Sequence, residues 1–386
     1  MTDQLGIQGD VRPGDEPLPF LSNFQDIFLS IGIVIFLSGM GILVGRLGAE
    51  IVPDAASMMA TIAGLLFLML VVVWILSEII VRKRRRILPG IILCVTFLIL
   101  TCAIFVNLYG AAVGENALDQ LDQIEWTEPD VEDEDVTHEV LREVAGDAMA
   151  VLPWTVKGFL IAITAFMLAS AFVYYRRFRL PFASAMVGLG VVGVIACILL
   201  LALPYDTIRF SPSIGLLSGL ALLVAGVSYD MRDPERVTRW SGNGFWLHFV
   251  AAPLLLSSAL TITTTGFAYD IPQMIQGDFD QWDNPFSVGQ SVVTLVVIGV
   301  FAIISLLLNR RALVVAGLVS AGFAIAVIVN SSGLGEAEVA AVTLIALGGG
   351  ILLLGLGWNA ARKALLVFVP SGGFWGRIFP RETVDG

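Results

Sequence analysis

The chain has 386 residues, 57% of them hydrophobic and only 14% charged, with a mean hydropathy of +0.86. A soluble domain carries roughly 25% charged residues, so this composition excludes a water-soluble globule. The formal charge of −11 is local rather than general: the stretch Gly114 to Met149 holds thirteen acidic residues against Arg142 alone, and the remainder is close to neutral.

In chain order, Met1 to Ser22 is polar and rich in Gly, Pro and acids, without the basic n-region that opens a secretory signal; a disordered cytoplasmic arm is expected over residues 1–22. Continuous apolar runs then follow, of about 20 residues each, the length that crosses a ~30 Å hydrocarbon core. Their hydrophobicity does not alternate, and lipid leaves no partner for unpaired backbone groups, so the runs read as helices rather than barrel strands. Spans are expected at about 26–47, 56–81, 88–113, 151–174, 180–203, 214–229, 245–265, 287–308, 312–330 and 337–358. The predicted fold is an all-α polytopic transmembrane bundle of about ten helices: helices 1–3 within 23–113, an acidic extracytoplasmic loop at 114–149, helices 4–10 within 150–358, and an amphipathic cytoplasmic tail at 359–386.

Orientation follows from Lys and Arg, which collect in cytoplasmic loops. Arg82 to Arg86, then Arg176, Arg177 and Arg179, then Arg232, Arg236 and Arg239, then Arg310 and Arg311 occupy the even loops, and Arg362, Lys363, Arg377 and Arg381 the tail. Both termini are therefore expected in the cytoplasm. The repeated Arg84-Arg85-x-x-Leu88-Pro89 and Arg176-Arg177-x-x-Leu180-Pro181 is explained by basic loops and by proline in a first helical turn; duplicated hairpins are the sharper alternative.

Several residues stand out against the apolar background. Glu78 precedes Arg82 by four residues, the favourable order for a helical ion pair. Lys157 is expected about two turns into the fourth span, reaching the interface on its long stem, with Asp147 or another loop acid as partner. Between the sixth and seventh spans, Asp233 is a candidate N-cap with Pro234 at the first helical position. The short helix it starts would carry Arg236 and Arg239 and be broken by Ser241-Gly242-Asn243-Gly244. His248 then falls about one turn into the membrane, and Pro253 would bend the same helix. An ionisable residue inside a span is a functional candidate by default, although a single histidine can equally bond a neighbour.

Asn107 and Thr261, Thr263, Thr264 and Thr265 are polar enough for interhelical hydrogen bonds, and Gly348-Gly349-Gly350 with Gly355 and Gly357 suggests close helix approach. The acidic loop lacks the glycine and spacing of a calcium loop and reads as a solvated cap with short amphipathic helices. The tail alternates basic and aromatic residues and is expected to lie along the inner membrane surface, with docking of a soluble partner as the alternative. Cys94, Cys102 and Cys197 sit inside apolar runs and read as small hydrophobes. No cofactor, metal or nucleic-acid partner is expected, and no catalytic residue: paired midplane carboxylates, a nucleophile motif and a ligand cluster are all lacking.

Trp74-x-x-x-Glu78 with the arginine run and Leu88-Pro89, Arg176-Arg177-Phe178-Arg179-x-Pro181, Asp233-Pro234-Glu235-Arg236-x-Thr238-Arg239 with Phe245-Trp246-Leu247-His248, Arg311-Ala312-Leu313, and Gly355-x-Gly357-Trp358 with Arg362 together resemble uncharacterised multi-pass inner-membrane proteins of proteobacteria. That resemblance implies a bacterial inner membrane and carries no activity. Two function classes stay open: transport of a small solute or ion, and a non-catalytic scaffold or sensor docking a soluble or membrane protein through its basic loops and tail.

Overall fold

The computed structural model describes residues 24–50, 55–124, 137–233, 238–275, 287–310, 312–370 and 373–379. The N-terminal arm, the most acidic part of the third loop, Arg236, and Asp278, Asp280 and Asp283 lie outside these. Among the described residues there is no strand. The helices are α1 Phe24–Glu50, α2 Ala55–Ser77 running on into a π-helical segment Glu78–Lys83, α3 Ile87–Asp122, α4 His138–Val151, α5 Trp154–Phe178, α6 Pro181–Ala202, α7 Pro204–Arg209, α8 Ser211–Asp230, α9 Arg239–Thr265, α10 Ile271–Ile275, α11 Val288–Leu308, α12 Ala312–Asn330, α13 Glu336–Leu366 and α14 Gly373–Ile378.

Nine of these, among the described residues, are long and apolar enough to cross a membrane: α1, α2 with its π segment, α3, α5, α6, α8, α9, α11 and α13. The remaining expected span is α12, a helix of 19 residues whose described apolar stretch, Ser320–Asn330, is shorter. The chain is thus an all-α polytopic membrane protein.

The helices are organised as four antiparallel hairpins, α2–α3, α5–α6, α8–α9 and α11–α12, which are the most extensively packed pairs in the molecule. All four close at the same, arginine-rich end. Three of the turns pass through a residue of positive φ, Arg85 at 52°, Arg179 at 53° and Asn309 at 53°. A left-handed residue after the last helical turn reverses the chain within two or three residues, and that is why the hairpins are tight. The repeated Arg-Arg-x-x-Leu-Pro does not give superimposable turns. The left-handed residue is four before Pro89 but two before Pro181, so Pro89 is the third residue of α3 and Pro181 the first of α6. Both lie in a first turn, where a missing N–H costs no helical bond.

The hairpins stand in a row. The first two meet through α3 and α5, the second and third through α6 and α9, and the last two through α9 and α12, with α1 against α2 and α3 and α13 against α12. The largest apolar core joins the first two hairpins: Val73, Leu93, Phe97 and Tyr174 are buried there, with Trp74 edge-on to Phe178 at 5.0 Å. Tyr174 meets Ser77 Oγ at 3.0 Å, and Asn243 Nδ2 donates to Tyr175 Oη at 2.8 Å, so buried polar groups tie one hairpin to the next.

Several expectations need correction. Ser241-Gly242-Asn243-Gly244 does not break a helix but forms the first turns of α9, which begins six residues earlier than expected, capped by Thr238 accepting from Trp240 N. The glycine run of α13 makes no close approach: a Cβ at Gly348, Gly349, Gly350, Gly355 or Gly357 would meet nothing within 4 Å. Asn107 and Thr264 bond carbonyls of their own helices, because a lone polar side chain satisfies itself on the preceding turn; Gln290 Nε2 donating to Thr263 Oγ1 at 3.1 Å is an interhelical exception. The tail is not wholly a surface segment either. Its first residues extend α13 to Leu366, and Ile378 and Phe379 pack against Ala252 and Leu308 at the end of the third and fourth hairpins.

Opposite the arginine-rich end, the described part of the acidic loop does form an amphipathic helix, α4, docked on α7 and α10. Arg142 holds Asp206 through two bonds of 3.1 and 2.9 Å, and His138 Nδ1 lies 2.5 Å from Tyr205 Oη. The hydrogen bonds from Arg142 hold the Asp206 carboxyl below its ordinary range, while burial raises the Tyr205 phenol.

Candidate functional site

α8 and α9 approach unusually closely, and glycine makes this possible. A Cβ on Gly226 would lie 2.9 to 3.1 Å from three atoms of the His248 ring. One on Gly244 would lie 2.2 Å from Asp230 Oδ1 and 3.1 Å from the Gly226 carbonyl. The two glycines are reciprocal, each one helical turn before the polar residue on its own helix and facing the polar residue of the other. Gly219, against Leu255 at 2.7 Å, continues the same register. Small residues that let backbones approach are the usual device where lipid supplies no hydrophobic drive between helices.

This packing seals His248 at 0% exposure, with Nε2 3.0 Å from Asp230 Oδ2. Arg310 completes the cluster from the turn after α11. Its side chain is 1% exposed, Nε donates to Asp230 Oδ2 at 3.0 Å and Nη2 donates to Oδ1. The same Nη2 lies 3.2 Å from the Ser241 carbonyl and 3.3 Å from its hydroxyl. Arg310 is aimed inward by the left-handed Asn309 before it, whose own side chain accepts from Trp358 Nε1 of α13 at 2.9 Å. The cluster therefore draws on α8, α9, the α11–α12 turn and, through Asn309, α13.

Its chemistry follows from donors and acceptors. Asp230 accepts from both cations, so the neutral imidazole carries its proton on Nε2 and leaves Nδ1 bare. Nδ1 is buried with no hydrogen-bond partner among the described residues. With neutral His248 the cluster is balanced, one guanidinium against one carboxylate; protonation at Nδ1 makes it singly positive without disturbing the Nε2 bond. An ion pair in such surroundings is held by mutual attraction and costs about 3–5 kcal/mol to break from one side.

Of the expected site residues, only His248 belongs to this cluster. Pro253 lies in α9, but its side chain is exposed, directed away from the buried imidazole. Asp233 stands at the edge of the described residues, and the short helix it was expected to cap begins outside them, at 234–237. Asp233 is 5% exposed, and its Oδ2 accepts from Thr238 N at 2.8 Å and Thr238 Oγ1 at 2.6 Å, bracketing the α8–α9 connection. Arg239 opens α9, and Arg236 lies outside the described residues. Glu78 does pair with Arg82, at 3.2 Å, and also with Arg177 of the next hairpin, at 2.5 Å. Lys157 sits in the first turn of α5 rather than two turns deep. Its Nζ donates to the Ala150 carbonyl at 3.2 Å and lies 5.0 Å from the Trp154 ring centroid, in place of the expected loop acid. Asp230 and Arg310 were missed as site residues. The signal that points to Asp230 is Gly226-x-x-x-Asp230 set against Gly244-x-x-x-His248; no local pattern points to Arg310.

Two further cavities flank the hairpins. One, of about 770 Å³, opens between the turns of the first and second hairpins; the other, of about 540 Å³, is an apolar groove between α6 and α8 that reaches Tyr229 and Leu247, the neighbours of Asp230 and His248. Among the described residues no three metal-ligating side chains come together. Compared with protein-family models, curated proteins and solved structures, the chain matches none.

Proposed function

We propose that this membrane protein carries a small solute or ion across the bilayer in exchange for, or together with, a proton bound at His248. The observation that carries the reading is the imidazole itself: fully buried, bonded on one side to a carboxylate that a guanidinium also holds, and bare on the other. An imidazole can take up a proton on its free nitrogen, and an ionisable side chain inside a span marks an ion or proton path by default. Asp230 and Arg310 are positioning residues, because they fix the ring through Nε2 and make no bond to Nδ1. The arginine-rich end is proposed to face the cytoplasm of a bacterium, in keeping with the basic-loop rule and with the resemblance to inner-membrane proteins. No catalytic role is proposed.

The test is reconstitution in liposomes enclosing a pH-sensitive dye, with an imposed pH gradient and potassium chloride, sodium chloride or potassium phosphate as the accompanying salt. Protein-dependent proton flux that needs one of these salts and is lost in His248→Gln supports the reading. Flux that survives the substitution removes His248 as the coupling group. Flux absent from both proteins with every salt favours the second reading, a non-catalytic scaffold or sensor. That alternative draws on the exposed Lys83, Arg84 and Arg176 and the half-exposed Trp375 of the tail, which offer a basic and aromatic surface to a protein partner.

A further inference from the structure

The cavity between the first and second hairpin turns is lined by six arginines, Arg82, Arg85, Arg86, Arg176, Arg177 and Arg179. Three of them are committed. Arg82 and Arg177 share Glu78, and Arg86 donates to Asp26 at 2.8 Å, a carboxylate 5% exposed in the first turn of α1. Six guanidiniums against two carboxylates leave four positive charges around one space. Arg85, Arg176 and Arg179 make no ion pair with the described residues.

The backbone is shaped around this space as well. The π-helical segment Glu78–Lys83 ends in bonds from Arg84 N to Ile79 O at 3.2 Å and from Arg86 N to Ile80 O at 3.1 Å. Segments of this kind are rare and are frequently found at functional sites. Here the extra residue in the turn brings Arg82, Arg85 and Arg86 to one side. From the other side, the left-handed conformation at Arg179 sets Arg176 and Arg179 facing them. The core beneath is closed by Val81 and Leu180, both buried. The cavity is about 770 Å³, in the range of small-ligand sites and ample for a phosphate diester.

A basic loop on its own reports only orientation. Two details separate this one from that rule. Lys83 and Arg84 belong to the same arginine run but do not line the cavity, so only part of the basic sequence faces it. In addition, the cavity sits at the head of an apolar stripe. Leu180, which lines the cavity, directly precedes α6, and Ser184, Gly188, Val191 and Ile195 follow it at helical spacing and line the 540 Å³ groove between α6 and α8. A ligand with an anionic head and an aliphatic chain meets the arginines and the groove on one helix.

We infer that this cavity is a binding site for the phosphodiester headgroup of an anionic phospholipid, its chain lying along α6. Guanidiniums grip phosphate oxygens in pairs, and basic pockets between transmembrane helices are suited to such headgroups. The occupant is a lipid rather than free phosphate because the apolar groove adjoins the charge.

The experiment uses the full-length protein, delipidated in detergent, with thermal unfolding and native mass spectrometry as readouts. Phosphatidylglycerol and cardiolipin are the probes, phosphatidylcholine the zwitterionic control, and pyrophosphate the free-phosphate arm. Anionic lipid should raise the melting temperature and stay bound, and phosphatidylcholine should do neither. Arg85→Gln, Arg176→Gln and Arg179→Gln combined should weaken anionic-lipid binding by about a hundredfold. Lys83→Gln with Arg84→Gln, two charges removed beside the cavity, should change it less than about threefold. If the glutamine variant fails to insert, the corresponding triple lysine variant keeps the charge. It should still lose about tenfold, since an ammonium cannot grip two oxygens at once. Equal losses in the cavity and control variants overturn the site, as does stabilisation by phosphatidylcholine equal to that by phosphatidylglycerol. Stabilisation by pyrophosphate without any by lipid overturns the lipid assignment.

Discussion

Gly226→Ala and Gly244→Ala test the α8–α9 register atom by atom. At Gly226 the new methyl would sit 2.9 to 3.1 Å from the imidazole of His248, where carbon atoms pack at about 3.5–4.0 Å. The ring must retreat by roughly 0.5–1 Å, which takes Nε2 out of bonding range of Asp230, now 3.0 Å away. Overpacking costs about 1–3 kcal/mol and an interhelical hydrogen bond in a bilayer about 0.6, so a loss of about 2–3 kcal/mol is expected. At Gly244 the methyl would meet both the Asp230 carboxylate and the Gly226 carbonyl. The backbone cannot step aside, so the loss should be larger, about 3–5 kcal/mol. The assay is unfolding in mixed micelles titrated with dodecyl sulfate, followed by tryptophan fluorescence. The rescue is crossed: His248→Ala should recover at least about 1 kcal/mol of the Gly226→Ala loss, a coupling typical of residues in contact, and almost none of the Gly244→Ala loss. If His248→Ala and Gly226→Ala are simply additive, the imidazole does not lie on Gly226 and the packing argument fails.

Asp230→Asn strands the Arg310 guanidinium in a buried site and should cost about 3–5 kcal/mol; adding Arg310→Gln should return at least half of it in the same assay, and no loss in the single variant would show that the pair is not buried. The outer cap should respond to acid. The Asp206 carboxyl titrates below its ordinary value because of Arg142, so the stability it contributes is present above about pH 4 and is lost as pH falls through the lowered value. Both groups are partly exposed, so the loss is under about 1 kcal/mol. Hydrogen-exchange protection in α4, taken relative to the intrinsic rate at each pH, should fall between about pH 4 and 2 and stay level from about pH 5 to 8, and a fall centred near pH 6 would assign the latch to another group. Alkaline phosphatase fused after Asp122 should be active and fused after Arg179 inactive, and activity at Arg179 would reverse the proposed orientation.

The spans were legible because a run of about 20 apolar residues has few other uses, and Glu78 with Arg82 because helix spacing makes neighbours of residues four apart. What stayed hidden depends on residues distant in sequence. Asp230 reads as the polar end of a span until Arg310, eighty positions later, is placed beside it. Ser241-Gly242-Asn243-Gly244 reads as a breaker because glycine weakens helices in water. Inside a packed hairpin the same lack of a Cβ is what the contact requires, and Gly244 has no room for one. The run at Gly348 was misread for the converse reason: glycine permits close approach but does not bring a neighbour, and none stands there.

The row of hairpins also sets how the two sites are connected. The first two hairpins meet the last two chiefly where α6 crosses α9. That seam is narrow and lined by small contacts: Gly188 faces Leu222 and Leu247, and Gly242 faces Pro181. The arginine cavity lies on one side of it and the buried histidine on the other. The cavity and the histidine cluster therefore share α6 and α9 as the chief structural link between them, with the Asn243–Tyr175 bond beside it.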